Sequence, residues 1–132
     1  MSSFAENLES VWDRIAYAAA RAGRKTDEIT LVAVSKGRPP DSIAEVARAG
    51  QRVFGENRAQ ELRDKLEQVE MELEWHFIGH LQRNKAKKVA AIADSVDSID
   101  KYETAAELDK HCGSLGRKIE IMLEFNTSNE ES

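Results

Sequence analysis

Apolar positions along this chain switch between the period of a helix face and the period of a strand. Phe4, Leu8, Val11, Ile15, Ala19 and Ala22 recur at helical intervals, Ser3 and Glu6 have the spacing of a capping box, and Gly23 is the natural stop. The run Leu31-Val32-Ala33-Val34-Ser35-Lys36 reads instead as a buried strand over about 29 to 36, since it is short, rich in β-branched residues and closed by Gly37 and Pro39-Pro40. A helix opening at Pro39 or Pro40 carries Ile43, Val46 and Ala47 inward and ends at Gly50.

The same unit repeats. Gln51-Arg52-Val53-Phe54-Gly55 is a weaker strand signal, and Asn57 is placed to cap a helix whose stripe is Ala59, Leu62, Leu66 and Val69, with Arg63, Asp64, Lys65 and Glu67 left for solvent. Trp75-His76-Phe77-Ile78 is a strand stopped by Gly79, and helical spacing resumes through Ala86, Val89, Ala90 and Ala93. Ser95-Val96-Asp97-Ser98-Ile99 is a short strand. Asp100 and Glu103 repeat the cap spacing before a helix bearing Tyr102, Ala105, Leu108 and Cys112 and ended by Gly113. In the last strand Ile119, Ile121, Leu123 and Phe125 alternate with Glu120, Met122 and Glu124.

Strand and helix therefore alternate, which predicts an α/β fold with five parallel strands, four right-handed crossover helices and one leading helix. Two architectures accommodate that count. One is a small doubly wound sheet, with no helix to cover a face after its last strand. The other is part of a (β/α)8 TIM barrel, in which Glu120 and Glu124 would face the lumen, a polarity hard to bury without partners.

Composition narrows the classes. With 132 residues the chain has room for a single domain, 1–132, and its 41% hydrophobic and 33% charged residues are those of a soluble globular protein. A formal net charge of −5 argues against general nucleic-acid binding, which depends on neutralising phosphates. The single cysteine, Cys112, forms no internal disulfide, and no stretch has the length of a membrane span or the pattern of a signal peptide. A cytoplasmic protein without a membrane partner is expected.

Candidate chemistry concentrates on Lys36. In a strand it shares a face with Val34 and Val32, at the rim of an apolar layer, where a desolvated amine attacks aldehydes to form a Schiff base. On that stretch alone, a strand-end lysine with its ammonium in solvent is the simpler reading. Arg83, Lys85, Lys87 and Lys88 form a basic cluster best read as a solvated helix face. His76 and His80 straddle a strand and Gly79, so no metal site is expected from them; His80 is placed either to line a site or to serve as a structural histidine. Cys112 reads as a buried inert thiol, and Trp12 and Trp75 as packing residues.

Five segments together carry a resemblance. Val34-Ser35-Lys36, Phe54-Gly55-Glu56-Asn57, the block from Trp75 to Lys85, Ser95-Val96-Asp97-Ser98 and the block from Asn126 to Ser132 resemble, in order and spacing, the pyridoxal phosphate homeostasis protein family. The resemblance implies an alanine-racemase-like, fold type III TIM barrel, here its N-terminal part, with pyridoxal 5'-phosphate (PLP) as cofactor. It makes Lys36 the Schiff-base residue and places Asn57 near the cofactor ring; no catalytic residue and no metal ligand is assigned. It further implies a role in intracellular vitamin B6 balance without turnover. A fold type III racemase or decarboxylase is the alternative, but proton transfer at an amino-acid α-carbon needs an acid or base opposite the lysine, and none stands out. A fragment that no longer binds the cofactor is the remaining alternative.

Departures from the family pattern are Gly37, where threonine is common, and Asn129, where glycine is common. Length is the larger one, because the loops and helix N-terminus that hold the cofactor phosphate in the family belong to the remaining strands of the eight-stranded barrel. Weaker cofactor occupancy is expected, as is a homo-oligomer that covers the open sheet edges and lumen face.

Overall fold

The computed structural model describes residues 3–129. Within them the elements run α1 (Phe4–Arg21), β1 (Ala33–Val34), α2 (Pro40–Arg48), β2 (Val53–Glu56), α3 (Ala59–Gln68), β3 (Glu74–Phe77), α4 (Ala86–Ile92), β4 (Ser95–Ile99), α5 (Tyr102–Leu115) and β5 (Glu120–Leu123). The strands form one sheet in the order β1-β2-β3-β4-β5, every pair parallel. Sequential order with a helix between strands is the winding of a barrel wall, whereas a doubly wound sheet reverses its strand order at a switch point. The partial (β/α)8 architecture is thus the one adopted.

One face of the sheet carries the core. Phe54 and Trp75, with ring centroids 5.6 Å apart, join Phe77, Val96 and Ile99 beneath Ile43, Ala47, Leu62, Val89, Ala90 and Leu108 of the helices. Burying these side chains, at about 1.5–3 kcal/mol each for the larger ones, is what holds the helices to the sheet. The leading helix contributes little, since Ala19 is its only buried residue among those described and Val11 is exposed.

Several local expectations change. Strand β1 is two residues long, extended by a Ser35 N–H to Gly55 carbonyl bond, and Lys36 falls in the turn that follows, closed by the Arg38 amide donating to the Ser35 carbonyl. Ser3 caps α1 through the Glu6 amide as expected. Asn57 does not cap α3, whose cap is Arg58 without a side-chain bond, and Asp100 does not cap α5, whose cap is Lys101. Gly113 lies inside α5. The helix continues to Leu115 and stops at Gly116, whose φ of 64° is the left-handed conformation that favours glycine.

Beyond the last strand Asn129 has φ 57°. Asparagine is among the few side chains that adopt this conformation readily. The remaining residues of that block, Glu130, Glu131 and Ser132, lie outside the described residues.

Candidate functional site

Alternation along the strands sorts the site. Gly55 faces away from the helices, for a Cβ built on it would meet the side chains of Val32 and Ile78 at 3.0 Å. Paired with it in register is Val34, which is exposed, while Ser35 and Glu56 turn toward the helices and are buried. Lys36 and Asn57 each come two residues after that Val34–Gly55 pair, past the C-terminal ends of β1 and β2. Lys36 is exposed, as the reading of a strand-end lysine with its ammonium in solvent has it, and Asn57 is half-buried.

A buried polar cluster lies directly behind them. Lys65, expected in solvent, is 5% exposed on α3, and its ammonium donates to the Ser35 carbonyl and to Oε1 of Glu56, a carboxylate with 0% exposure. The Ser35 hydroxyl donates to the same Oε1 at 2.5 Å. Glu61, one helical turn before Lys65, accepts from the Gly37 amide at 2.8 Å. Burial pushes the Glu56 carboxyl above the usual carboxylate range, and the Lys65 and Ser35 bonds offset only part of it; Oε2 has no hydrogen-bond partner among the described residues. The Gly37 amide and the Lys65 charge hold the Glu61 carboxyl below that range.

The expectation for Lys65 failed for a geometric reason. From Leu62, both the third and the fourth residue lie on the inward face of a helix. Periodicity placed Leu66 there, yet Leu66 is 36% exposed and Lys65 takes the inner position, because the buried Glu56 carboxylate needs a counter-charge. The strand signal from the sequence ends at Gly55, whereas Glu56 belongs to β2 and is buried, so the anion that draws Lys65 inward was not legible.

Asn57 is fixed from its other side. A Cβ on Gly79 would overlap the Asn57 carbonyl oxygen and stand 2.9 Å from the Asn57 Cα, so only glycine lets β3 pass so close to it. The Gly79 carbonyl in turn accepts from the Ser98 hydroxyl at 2.5 Å, where the register of β4 against β5 shifts between Val96 and Ile99. The segments from β1 to β4 that carry the resemblance thus meet at one edge.

Deeper in the sheet, His76 is locked between carboxylates, with Nδ1 2.8 Å from Asp97 and Nε2 2.8 Å from Glu74, and the Ser95 hydroxyl donates to Asp97. Burial lowers the His76 pKa, but these bonds and charges outweigh it and raise it above 6.5. His80 is 60% exposed, 3.8 Å from Asp100, and lines a cleft of about 550 Å³ with Asn57, Arg58, Gln82, Lys85 and Lys88. Arg83, Lys85, Lys87 and Lys88 are part of an accessible surface, as a solvated helix face requires. Among the described residues no group of three or more His, Cys, Asp or Glu side chains is placed to hold a metal, and Cys112 is buried. No helix among them is long and apolar enough to cross a membrane.

The chain has relatives among known proteins. It is 43% identical over its full length to the pyridoxal phosphate homeostasis protein of Escherichia coli K12, and 38% identical over 96% of its length to that of Aquifex aeolicus. This chain matches the N-terminal part of the pyridoxal phosphate homeostasis proteins. It spans 58% and 56% of the length of those two relatives. Among solved structures, PipY of Synechococcus elongatus with PLP bound superposes with a TM-score of 0.77 at 37% identity, covering 88% of this chain and 56% of PipY. A protein of unknown function from Bifidobacterium adolescentis superposes with a TM-score of 0.88 at 32% identity, over 98% of this chain and 57% of that one. No family model matches the chain.

Proposed function

We propose that this chain is the Lys36-bearing part of a PLP-binding protein of vitamin B6 homeostasis, forming a single domain in the cytoplasm. The observation that supports this reading is that Lys36 and Asn57 each come two residues after the paired Val34 and Gly55, with the buried Ser35–Glu56–Lys65 cluster tied to the segments that carry them. Its support from outside the chain is the 43% identity to a homeostasis protein and the PLP bound in PipY.

The residues present fit the aldehyde end of such a group. PLP supplies an aldehyde on a flat, electron-poor ring, and an amine joins its carbon with loss of water. Lys36 offers an exposed primary amine. The exposed apolar surface of Val34 lies two residues before it, and beside that surface Gly55 adds no side chain. Asn57 offers an amide with both donors and an acceptor to ring substituents. Homeostasis, not enzyme, is the term in the relatives' names, and the two acids bonded to the residues flanking Lys36, Glu56 and Glu61, are engaged by Lys65, Ser35 and the Gly37 amide, which favours binding without turnover.

The open edge supports a second element of the proposal, self-association. Ile121, Met122 and Leu123 of the edge strand β5 and Phe125 just past it are all exposed, leaving apolar side chains beside strand amides open to pairing. A monomeric mass at high concentration in solution refutes it. The cofactor reading is tested by incubating the chain with PLP, reducing with borohydride, and measuring intact mass and labelled peptides. One pyridoxyl group on Lys36, absent from a folded Lys36→Ala variant, is expected. Absent label, or label spread over surface lysines such as Lys85 and Lys88, overturns it.

A further inference from the structure

Lys36 sits in a turn whose own side chains do little to hold it. It is exposed, strand pairing ends at Ser35, and the next residue, Gly37, has φ 71° with open space where a side chain would begin. A free turn of this kind samples many conformations, and each costs the amine part of its alignment toward a reacting carbonyl. Yet both peptide groups flanking Lys36 are fastened, and both to α3. The Ser35 carbonyl accepts from the Lys65 ammonium, and the Gly37 amide donates to Glu61.

The two fasteners are one unit. Lys65 and Glu61 are four residues apart on α3, with Nζ 3.4 Å from the Glu61 carboxylate, and Lys65 is also paired with Glu56, whose chain neighbour is Asn57. Ser35 ties in twice more, through its hydroxyl to the Glu56 carboxylate and through its backbone amide to the Gly55 carbonyl at 3.0 Å. Charge-assisted bonds of this sort are the strong ones, and the Lys65–Glu56 pair lies where water does not compete. Neither Lys65 nor Glu61 is part of the segments that carry the resemblance.

We propose that Lys65, Glu61 and Glu56 are the positioning residues of Lys36, clamping the backbone on both sides of it so that its amine is presented in one orientation next to Asn57. The inference rests on the proposed function for its meaning. Its geometry concerns only this chain's own groups. Lys65 and Glu61 act through the Ser35 and Gly37 peptides, with no contact to the cofactor required.

Amide hydrogen exchange and borohydride trapping of PLP on the whole chain test it, in wild type, Glu61→Ala and Glu61→Gln. In Glu61→Ala the Gly37 amide is expected to exchange about tenfold faster, the equivalent of one charge-assisted bond, with the Phe54, Trp75 and Ile78 amides unchanged. Trapping at Lys36 falls several-fold in the same variant. Glu61→Gln keeps an oxygen acceptor and restores most of both signals, a rescue that a purely structural salt bridge would not give. Should Glu61→Ala fold poorly, Lys65→Met with Glu56→Gln removes both buried charges together, releases the Ser35 carbonyl from α3 while leaving its bond from the Arg38 amide, and is expected to lower trapping likewise. Unchanged Gly37 exchange, or unchanged trapping at Lys36 in the folded variant, overturns the clamp. Wild type that leaves Lys36 unlabelled overturns the proposed function and the clamp with it, whereas labelled wild type beside an indifferent variant overturns the clamp alone.

Discussion

Replacing Lys65 by methionine keeps the length of the side chain and removes its charge, which leaves Glu56 at 0% exposure without a counter-ion. The buried carboxylate then takes up a proton rather than remain charged. An ordinary carboxyl of this kind titrates at 4.5, so protonation at about pH 7.5 costs roughly 1.4 kcal/mol for each of about three pH units, near 4 kcal/mol. Losing the bond from Lys65 to the Ser35 carbonyl adds about 1 kcal/mol. Together these fall in the range of a buried ion pair broken from one side. The sign follows from proton counting: between 4.5 and the raised value the folded variant binds one proton more than the unfolded chain, so its stability falls as pH rises. Urea unfolding followed by tryptophan fluorescence, to which Trp75, buried beside Phe54, contributes along with Trp12, measures the gap to wild type at about pH 5.5 and about pH 7.5. The gap is expected to be wider at the higher pH, and adding Glu56→Gln should remove that pH dependence. A gap below about 1 kcal/mol at the higher pH, or one equal at both, would show that Glu56 is not held by Lys65.

Three further outcomes are expected. His76, raised above 6.5 by Glu74 and Asp97 against the effect of burial, stabilises the fold fully at low pH and progressively less as pH rises through its folded value. The stability advantage of wild type over His76→Gln should therefore shrink with rising pH, and an imidazole NMR titration at or below 6.5 would contradict it. Gly79→Ala forces a Cβ into the Asn57 backbone, whose Cα would lie only 2.9 Å away, which must cost about 3 kcal/mol and displace Asn57; a loss below about 0.5 kcal/mol would disprove the contact. Lys36→Ala removes an exposed turn side chain, so urea unfolding should shift by no more than about 0.5 kcal/mol while covalent PLP capture disappears; a larger loss would mean that Lys36 holds the fold.

Periodicity alone was enough for the order of elements. The i, i+3, i+4 stripes of α2 and α5, the β-branched run before Lys36 and the glycine and proline stops around it determine where helices and strands lie, because the two periods bury different residues. The residue types at the candidate site were legible too. Lys36 and Asn57 sit in short segments whose order and spacing carry the resemblance, and each follows a residue of the paired β1 and β2 by two positions.

Tertiary structure decided the rest. Whether the strands wind into a barrel wall or a reversed sheet depends on strand order, which local pattern does not encode. Lys65 could not be assigned to the interior from its own neighbourhood, since a lysine belongs in solvent unless a buried anion waits for it, and Glu56 comes from a different element of the fold. The same holds for Gly79, whose missing side chain matters only because the Asn57 carbonyl passes beside it. Local sequence sets which backbone shape each segment prefers; the pairing of charges and the closeness of two chain segments arise only when residues distant in sequence are brought into contact.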